Sequence, residues 1–322
     1  MDSSDGHDDC MSIFTGLSAF PLTPLVDGSI DERSFDHLIA RLVDAEVDSI
    51  TTLGSTGSYA YLSRDERALV ARRAVRAAGD VPVFVGIGAL STRHVLEHAE
   101  DAQNAGAQGL LLAPVSYQVL TRDEVYGLFE TVAARSDAPI IVYDNPVATR
   151  FAFDDDLYAA VAGLPGVASI KIPGASADPE VARARVTHLR GLLPSDVTIG
   201  VSRDAFAAAA LNAGYDAWYS VAGGTLPRLA LRLADAALNG DSLRALDCSA
   251  ELQPLWDWFA RDGSLRVIAA VAEHLQLVPS ESLPLPILGL DAEQRAQMIP
   301  TLEALVAAES AAPRGRRRSI QG

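Results

Sequence analysis

Pro139-Ile140-Ile141-Val142-Tyr143 and, about twenty residues on, Val167-Ala168-Ser169-Ile170-Lys171 are the two runs on which the fold reading turns. Each is apolar on both faces until a polar side chain closes it. Strands without a polar/apolar alternation belong to a parallel sheet covered by helices on both sides. Reading outward, the same kind of run recurs at Gly16–Phe20, Asp48–Leu53, Val81–Ile87, Gly109–Ala113, Val197–Gly200 and Ala217–Val221. Amphipathic stretches lie between them, among them Asp31–Asp44, Arg64–Ala78, Thr92–Ala105, Thr121–Arg135 and Pro179–Leu189. Ser63 before Glu66 and Thr121 before Glu124 have the spacing of a capping box, which marks helix starts. Eight such strands, with seven or eight intervening helices, predict an α/β fold closed into a (β/α)8 barrel.

The strand signal stops after Leu238-Asn239-Gly240. The sequence predicts a barrel over residues 13–240, a C-terminal helical region over 241–310, and two disordered ends, an acidic lead-in at 1–12 and a basic tail at 311–322. Trp256, Trp258 and Phe259 in the helical region read as core or subunit contacts rather than as a ligand box. The chain has 322 residues, 49% of them hydrophobic, which suffices for a large core. A net charge of −16 argues against nucleic acid as the main partner, although the dispersed carboxylates also serve solubility. Cys10 and Cys248 are too few for a disulfide framework, which suits a reducing cytoplasm. No stretch approaches the ~20 apolar residues that span a membrane.

Of 26 basic residues one alone, Lys171, is lysine. A guanidinium stays protonated, whereas a desolvated amine can lose its proton and attack a carbonyl. Lys171 is either a chance survivor on a loop or a nucleophile. Barrel active sites form at the C-terminal strand ends, and Lys171 closes the sixth run as Tyr143 closes the fifth. Neighbouring strands lie about 4.8 Å apart, so a phenol on one reaches an amine on the next. Schiff-base formation needs a group that shuttles protons to the carbinolamine oxygen, and a phenol can do so.

The second run exits into Leu53-Gly54-Ser55-Thr56-Gly57-Ser58, either an ordinary strand-to-helix turn or a seat for a carboxylate on exposed N–H groups. Gly86-Ile87-Gly88 lacks the third glycine of a dinucleotide fingerprint. His94 and His98 sit four apart without a third ligand, so neither a metal nor another cofactor is expected.

Gly54-Ser55-Thr56-Gly57, Tyr143-Asp144-Asn145-Pro146-Val147-Ala148-Thr149 and Ile170-Lys171, in this order at these strand ends, resemble the dihydrodipicolinate synthase / N-acetylneuraminate lyase family of class I aldolases, over roughly Phe14 to Ala308. The resemblance implies that Lys171 forms an imine with pyruvate or a pyruvate-yielding keto acid. Tyr143 would be the general acid/base, Ser55 a hydroxyl relaying protons between two tyrosines, and Tyr117 the second of these, reaching into a neighbouring subunit. It implies a substrate site of Thr56 and Gly57 for the carboxylate, with Arg150, Gly200 and Ser220 alongside, and a homo-oligomer, dimer or tetramer. The departures bear on substrate. Where biosynthetic members carry an arginine two residues before a glycine, this chain has Ala148 and Arg150. That points away from 4-hydroxy-tetrahydrodipicolinate synthesis, toward 2-keto-3-deoxy sugar acids, and leaves Arg150 to supply a shifted charge. Leu90, His94 and Ser116 match a lysine-inhibitor site poorly. The expectation is a lysine-imine aldolase or lyase releasing or condensing pyruvate. The alternatives are the synthase itself and a non-catalytic keto-acid-binding barrel.

Overall fold

A computed structural model of the protein describes residues 13–174 and 176–312; the expected lead-in at 1–12 and the tail from 313 onward lie outside the described residues. Eight strands run in chain order: β1 (Gly16–Ala19), β2 (Ser49–Thr52), β3 (Val83–Gly86), β4 (Gly109–Leu112), β5 (Ile140–Tyr143), β6 (Val167–Pro173), β7 (Thr198–Ser202) and β8 (Ala217–Ser220). Each pairs in parallel with the next, and β8 returns to β1 with Gly16 opposite Ala217, closing the barrel. The connecting helices are α1 (Glu32–Asp44), α2 (Arg64–Ala78), α3 (Thr92–Asn104), α4 (Arg122–Ala133), α5 (Asp155–Ala162), α6 (Pro179–Arg190), α7 (Ala207–Ala213) and α8 (Pro227–Leu238). Both expected capping boxes form: Ser63 and Thr121 accept from the amides of Glu66 and Glu124, whose side chains reach back. A two-stranded ribbon (Leu25–Val26, Ser29–Ile30) between β1 and α1 escapes sequence detection, because two-residue strands carry no periodicity.

The barrel interior and the strand–helix shell are separate packing problems. Between strands and helices, Val, Leu, Ile and Ala side chains form one continuous core. Inside the barrel a smaller cluster is dominated by rings: Phe14, Phe20, Phe84, Tyr143 and Tyr219, with Leu111 and Ile141. These rings fit because small residues face them. A Cβ on Gly109 would come within 2.8 Å of Phe84, and one on Gly200 within 2.3 Å of Tyr219. The interior is therefore packed rather than hollow, and the open space for chemistry is at the strand exits.

Beyond the barrel, α9 (Ser242–Glu251), α10 (Gln253–Asp262), α11 (Ser264–His274) and α12 (Ala292–Ala311) form the C-terminal helical region. Trp256 and Trp258 are buried there and Phe259 partly so, as core residues. Glu309 docks α12 on the barrel. Its buried carboxyl accepts from the amides of Arg228 and Leu229 at 3.2 and 3.0 Å, where α8 leaves N–H groups unpaired. Among the described residues no helix is long and apolar enough to cross a membrane.

Candidate active site

Lys171 does not end its strand. β6 continues through Ile172 and Pro173, which pair with Val201 and Ser202 of β7. The amine is thus two residues inside the barrel mouth, between Tyr143 of β5 and Gly200 of β7 in register. Only 3% of Lys171 is exposed. Its Nζ lies 3.5 Å from the centroid of the Tyr143 ring and 5.2 Å from that of Phe20, against aromatic faces instead of a carboxylate. Burial pushes its pKa below the usual lysine value; Tyr143, Asp204 and Asp144 pull the other way without reversing it. A fraction of neutral amine at ordinary pH is the condition for attack on a carbonyl.

The Tyr143 hydroxyl sits in a triangle of polar atoms. Asn145 donates from Nδ2 to Tyr143 Oη at 3.0 Å, Ser55 Oγ lies 3.4 Å from that oxygen, and Asn145 also reaches Ser55 Oγ at 3.4 Å. Ser55 and Tyr143 were both expected here; Asn145 was not. Asn145 stands at the N-cap of the helical turn Pro146–Thr149, where an asparagine ordinarily caps, yet its side chain makes no cap bond. The side chain is committed to the tyrosine instead, and an Asn-Pro pair in a sequence gives no sign of that.

Backbone strain shapes the turn after β2. Leu53 and Ser58 both adopt left-handed conformations, φ 56° and 54°. The Leu53 carbonyl would lie 1.8 Å from a Cβ on Gly86 of the next strand, so only glycine fits there. Ser58 N donates to Ser55 O at 3.1 Å and closes the turn. Among the described residues the amides of Thr56 and Gly57 donate to no protein acceptor. Beside Gly57 the buried Thr23 Oγ1 also lacks a partner. Two free amides and a free hydroxyl around one turn match an oxyanion's needs.

Further along this exit is Tyr59, absent from the expected site. The Arg67 guanidinium lies 5.2 Å from the centroid of its ring, while Arg67 donates to the carbonyls of Gly88 and Gly86 at 3.0 and 2.8 Å. Burial, with a smaller contribution from nearby Tyr143, raises the Tyr59 pKa, so its phenol stays protonated.

The remaining expected residues are placed as follows. Tyr117 follows β4 and is 84% exposed, outside the Tyr143–Ser55–Asn145 triangle of its own chain. Arg150, exposed, follows the helical turn after β5. Gly200 carries the Tyr219 ring across its missing Cβ, and Tyr219 bonds Ser169 at 2.7 Å. Ser220, fully buried, accepts from Gly223 N at 2.8 Å and bonds the buried Asp204. His98 and His94 on α3 gather no metal-binding group: among the described residues no three His, Cys, Asp or Glu side chains cluster so as to hold an ion.

The parallel barrel thus closes around one desolvated lysine on β6, stacked on a tyrosine of β5, an arrangement suited to amine-nucleophile chemistry. A family model described as the dihydrodipicolinate synthetase family matches residues 13–305, and the chain belongs to that family. It is accordingly a lyase of the aldolase type. The chain is 32% identical over 284 residues to a 4-hydroxy-tetrahydrodipicolinate synthase of Nitrosomonas europaea, covering 87% of this chain and 94% of that one. It resembles the crystal structure of a dihydrodipicolinate synthase from Agrobacterium tumefaciens at 44% identity and TM-score 0.88, over 92% of this chain and all of the other. A dihydrodipicolinate synthase from Aquifex aeolicus superposes with TM-score 0.82 at 25% identity, over 90% and 97% of the two chains.

Proposed function

We propose that the protein forms a Schiff base between Lys171 and the carbonyl of a 2-keto acid, and cleaves or condenses a 2-keto-3-deoxy acid with pyruvate as the imine-bound fragment. The observation that carries this is the buried Nζ of Lys171, 3.5 Å from the Tyr143 ring centroid, with its pKa lowered by desolvation. The neutral amine adds to C2 of the keto acid. The carbinolamine oxygen takes a proton from Tyr143 and leaves as water, giving the imine. In the cleavage direction the C4 hydroxyl gives its proton to the Tyr143 oxygen, left deprotonated by imine formation, and the C3–C4 bond breaks. An aldehyde departs, and the electron pair is held as the enamine. Protonation at C3 and addition of water then release pyruvate and the free amine. Ser55 returns protons to Tyr143, and Asn145 fixes the phenolic oxygen between them. The free amides of Thr56 and Gly57 hold the substrate's carboxylate.

The relay needs a second phenol, and Tyr117 supplies it from a partner copy. Supporting this, Leu90, Tyr117, Val119 and Val147 are exposed at the exits of the adjacent strands β3, β4 and β5, an apolar rim of the kind that subunit contacts cover. No cofactor or metal is required by this chemistry.

A second reading is 4-hydroxy-tetrahydrodipicolinate synthesis from pyruvate and aspartate semialdehyde, which the names of the relatives favour. Ala148, in place of the arginine of biosynthetic members, speaks against it. Two assays on the purified chain separate them: pyruvate release from a panel of 2-keto-3-deoxy acids, and a coupled assay with pyruvate and aspartate semialdehyde. Turnover in the first and none in the second is expected. Turnover only in the second reverses the assignment, and turnover in neither leaves the binding-barrel alternative.

A further inference from the structure

Arg67, on α2, is 5% exposed, and among the described residues it makes no ion pair with a carboxylate. Its guanidinium donates instead to the carbonyls of Gly86 and Gly88, at 2.8 and 3.0 Å, and faces the Tyr59 ring. Its buried Nε has no partner. Asp101 of α3 lines the same small cavity, but its carboxylate is taken by Arg64, which donates to it from Nε and Nη2 at 2.7 and 3.0 Å. His98 lines the cavity too and, with its pKa lowered to about 4, is uncharged at neutral pH. Burial lowers the Arg67 pKa to about 10, which still leaves it charged there. A buried cation without a counter-charge is expensive, and a neutral donor would satisfy carbonyls at less cost. The charge therefore calls for a use beyond holding two carbonyls. Its location offers one. Leu53, where the turn after β2 begins, lines the cavity with Arg67, and its carbonyl lies against Gly86. Gly57 packs back on Leu53, since a Cβ there would come within 3.0 Å of Leu53 N. Tyr59, against the guanidinium, is two residues beyond Gly57. Arg67 thus meets this turn at both ends, and the free amides of Thr56 and Gly57 lie between them.

We propose that Arg67 is a positioning residue for the keto acid's own carboxylate. Its buried charge draws that anion onto the amides of Thr56 and Gly57, and its grip on Gly86, Gly88 and Tyr59 fixes the turn that carries them. This rests on the imine reading of the site and adds a charge to a seat otherwise made of neutral donors. Arg67 need not touch the substrate. A buried charge acts through space far better than an exposed one, because little water or salt screens it. What it selects at Lys171 is the anion of a 2-keto acid over an uncharged carbonyl compound of the same shape.

The test compares pyruvate with pyruvamide, its uncharged amide, on the full chain, each trapped on Lys171 with cyanoborohydride and read by mass. The readout is the ratio of the two second-order trapping rates, which cancels general damage to the amine pocket. Arg67→Met keeps the length of the side chain and removes its charge. It should lower the pyruvate-to-pyruvamide ratio about tenfold, the effect of one partly screened charge on a nearby anion. Arg67→Lys, which keeps a charge, should hold the ratio within about threefold of wild type. Asp101→Asn works from the opposite side and does not depend on Arg67→Met folding. It removes a carboxylate of a surface ion pair at little cost in stability, lessens the negative charge beside Arg67, and should raise the ratio about twofold. Three results overturn the proposal: pyruvate and pyruvamide slowed together in Arg67→Met with the ratio unchanged, equal ratios in Arg67→Met and Arg67→Lys, or a ratio in Asp101→Asn at or below that of wild type. Absence of any pyruvate adduct in the wild type instead overturns the imine reading beneath it.

Discussion

Tyr143→Phe separates the two things the fifth-strand tyrosine does. Its ring forms the surface on which Lys171 Nζ rests at 3.5 Å from the centroid and is part of the interior aromatic cluster. Its hydroxyl bonds Asn145 at 3.0 Å and approaches Ser55 at 3.4 Å. Phenylalanine keeps the first and deletes the second. The stability cost is that of one good and one long hydrogen bond at a partly hydrated site, about 1 kcal/mol. The chemical cost is the proton transfer, a loss of about 10²–10⁴ in rate for a positioned general acid/base. With pyruvate and rapid quenching into borohydride, the adduct on Lys171 should form about a hundredfold or more slowly. The final extent of labelling at long times should approach that of the wild type, because the desolvated pocket is intact. A trapping rate within about threefold of wild type would refute the assignment of proton transfer to Tyr143, since a positioned acid/base contributes far more than that.

Other consequences follow from the same packing. Lys171→Met should abolish the adduct and raise thermal stability, because a buried amine is replaced by an apolar chain of similar length. The folded pKa of Lys171 lies below the unfolded value of 10.5, so the wild type loses stability at this site as pH falls below 10.5, and its deficit against the variant should grow in that direction. Gly200→Ala pushes a methyl to 2.3 Å from the Tyr219 ring and strains its 2.7 Å bond to Ser169. Overpacking and the lost bond should cost about 2–4 kcal/mol, visible as a midpoint shift in urea with an unchanged slope. Burial and the neighbouring Arg67 lower the His98 pKa from 6.5 to about 4, so stability from its neutral form is present above 6.5 and is lost as pH falls toward 4. His98→Leu should therefore flatten the acid side of a stability–pH curve, and an unchanged slope between those values would contradict it. Asn145→Val should slow pyruvate trapping by about tenfold with little effect on melting, as fits a lost hydrogen bond at a half-buried site.

Much of this was legible from residue order. Strands apolar on both faces required covering helices, and their number required closure. Lys171 and Tyr143 were brought together by strand adjacency alone, and the register places them directly opposite. The end of β6 was misjudged because a lysine followed by a proline two residues on reads as a strand terminus. Pairing with β7 carries the strand on, and this is what buries the amine. Asn145, Thr23 and Tyr59 were illegible for a different reason: each acquires its place from turn geometry. Asn145 turns away from capping, Thr23 is left beside Gly57, and Tyr59 is set under Arg67 by a Ser58 in left-handed conformation. Periodicity and spacing carry no information about such turns. Tyr117 enters the proposed relay by resemblance alone, and its own chain leaves it exposed.

The central claim is that Lys171 is an imine-forming amine. The most direct measurement incubates the full chain with pyruvate, reduces with borohydride, and locates the added mass by peptide mass spectrometry, with Lys171→Arg as the control. The account predicts a stoichiometric reduced pyruvate adduct on the Lys171 peptide of the wild type and none on the variant. An unmodified Lys171 at saturating pyruvate, or equal labelling of the Lys171→Arg chain, would contradict it.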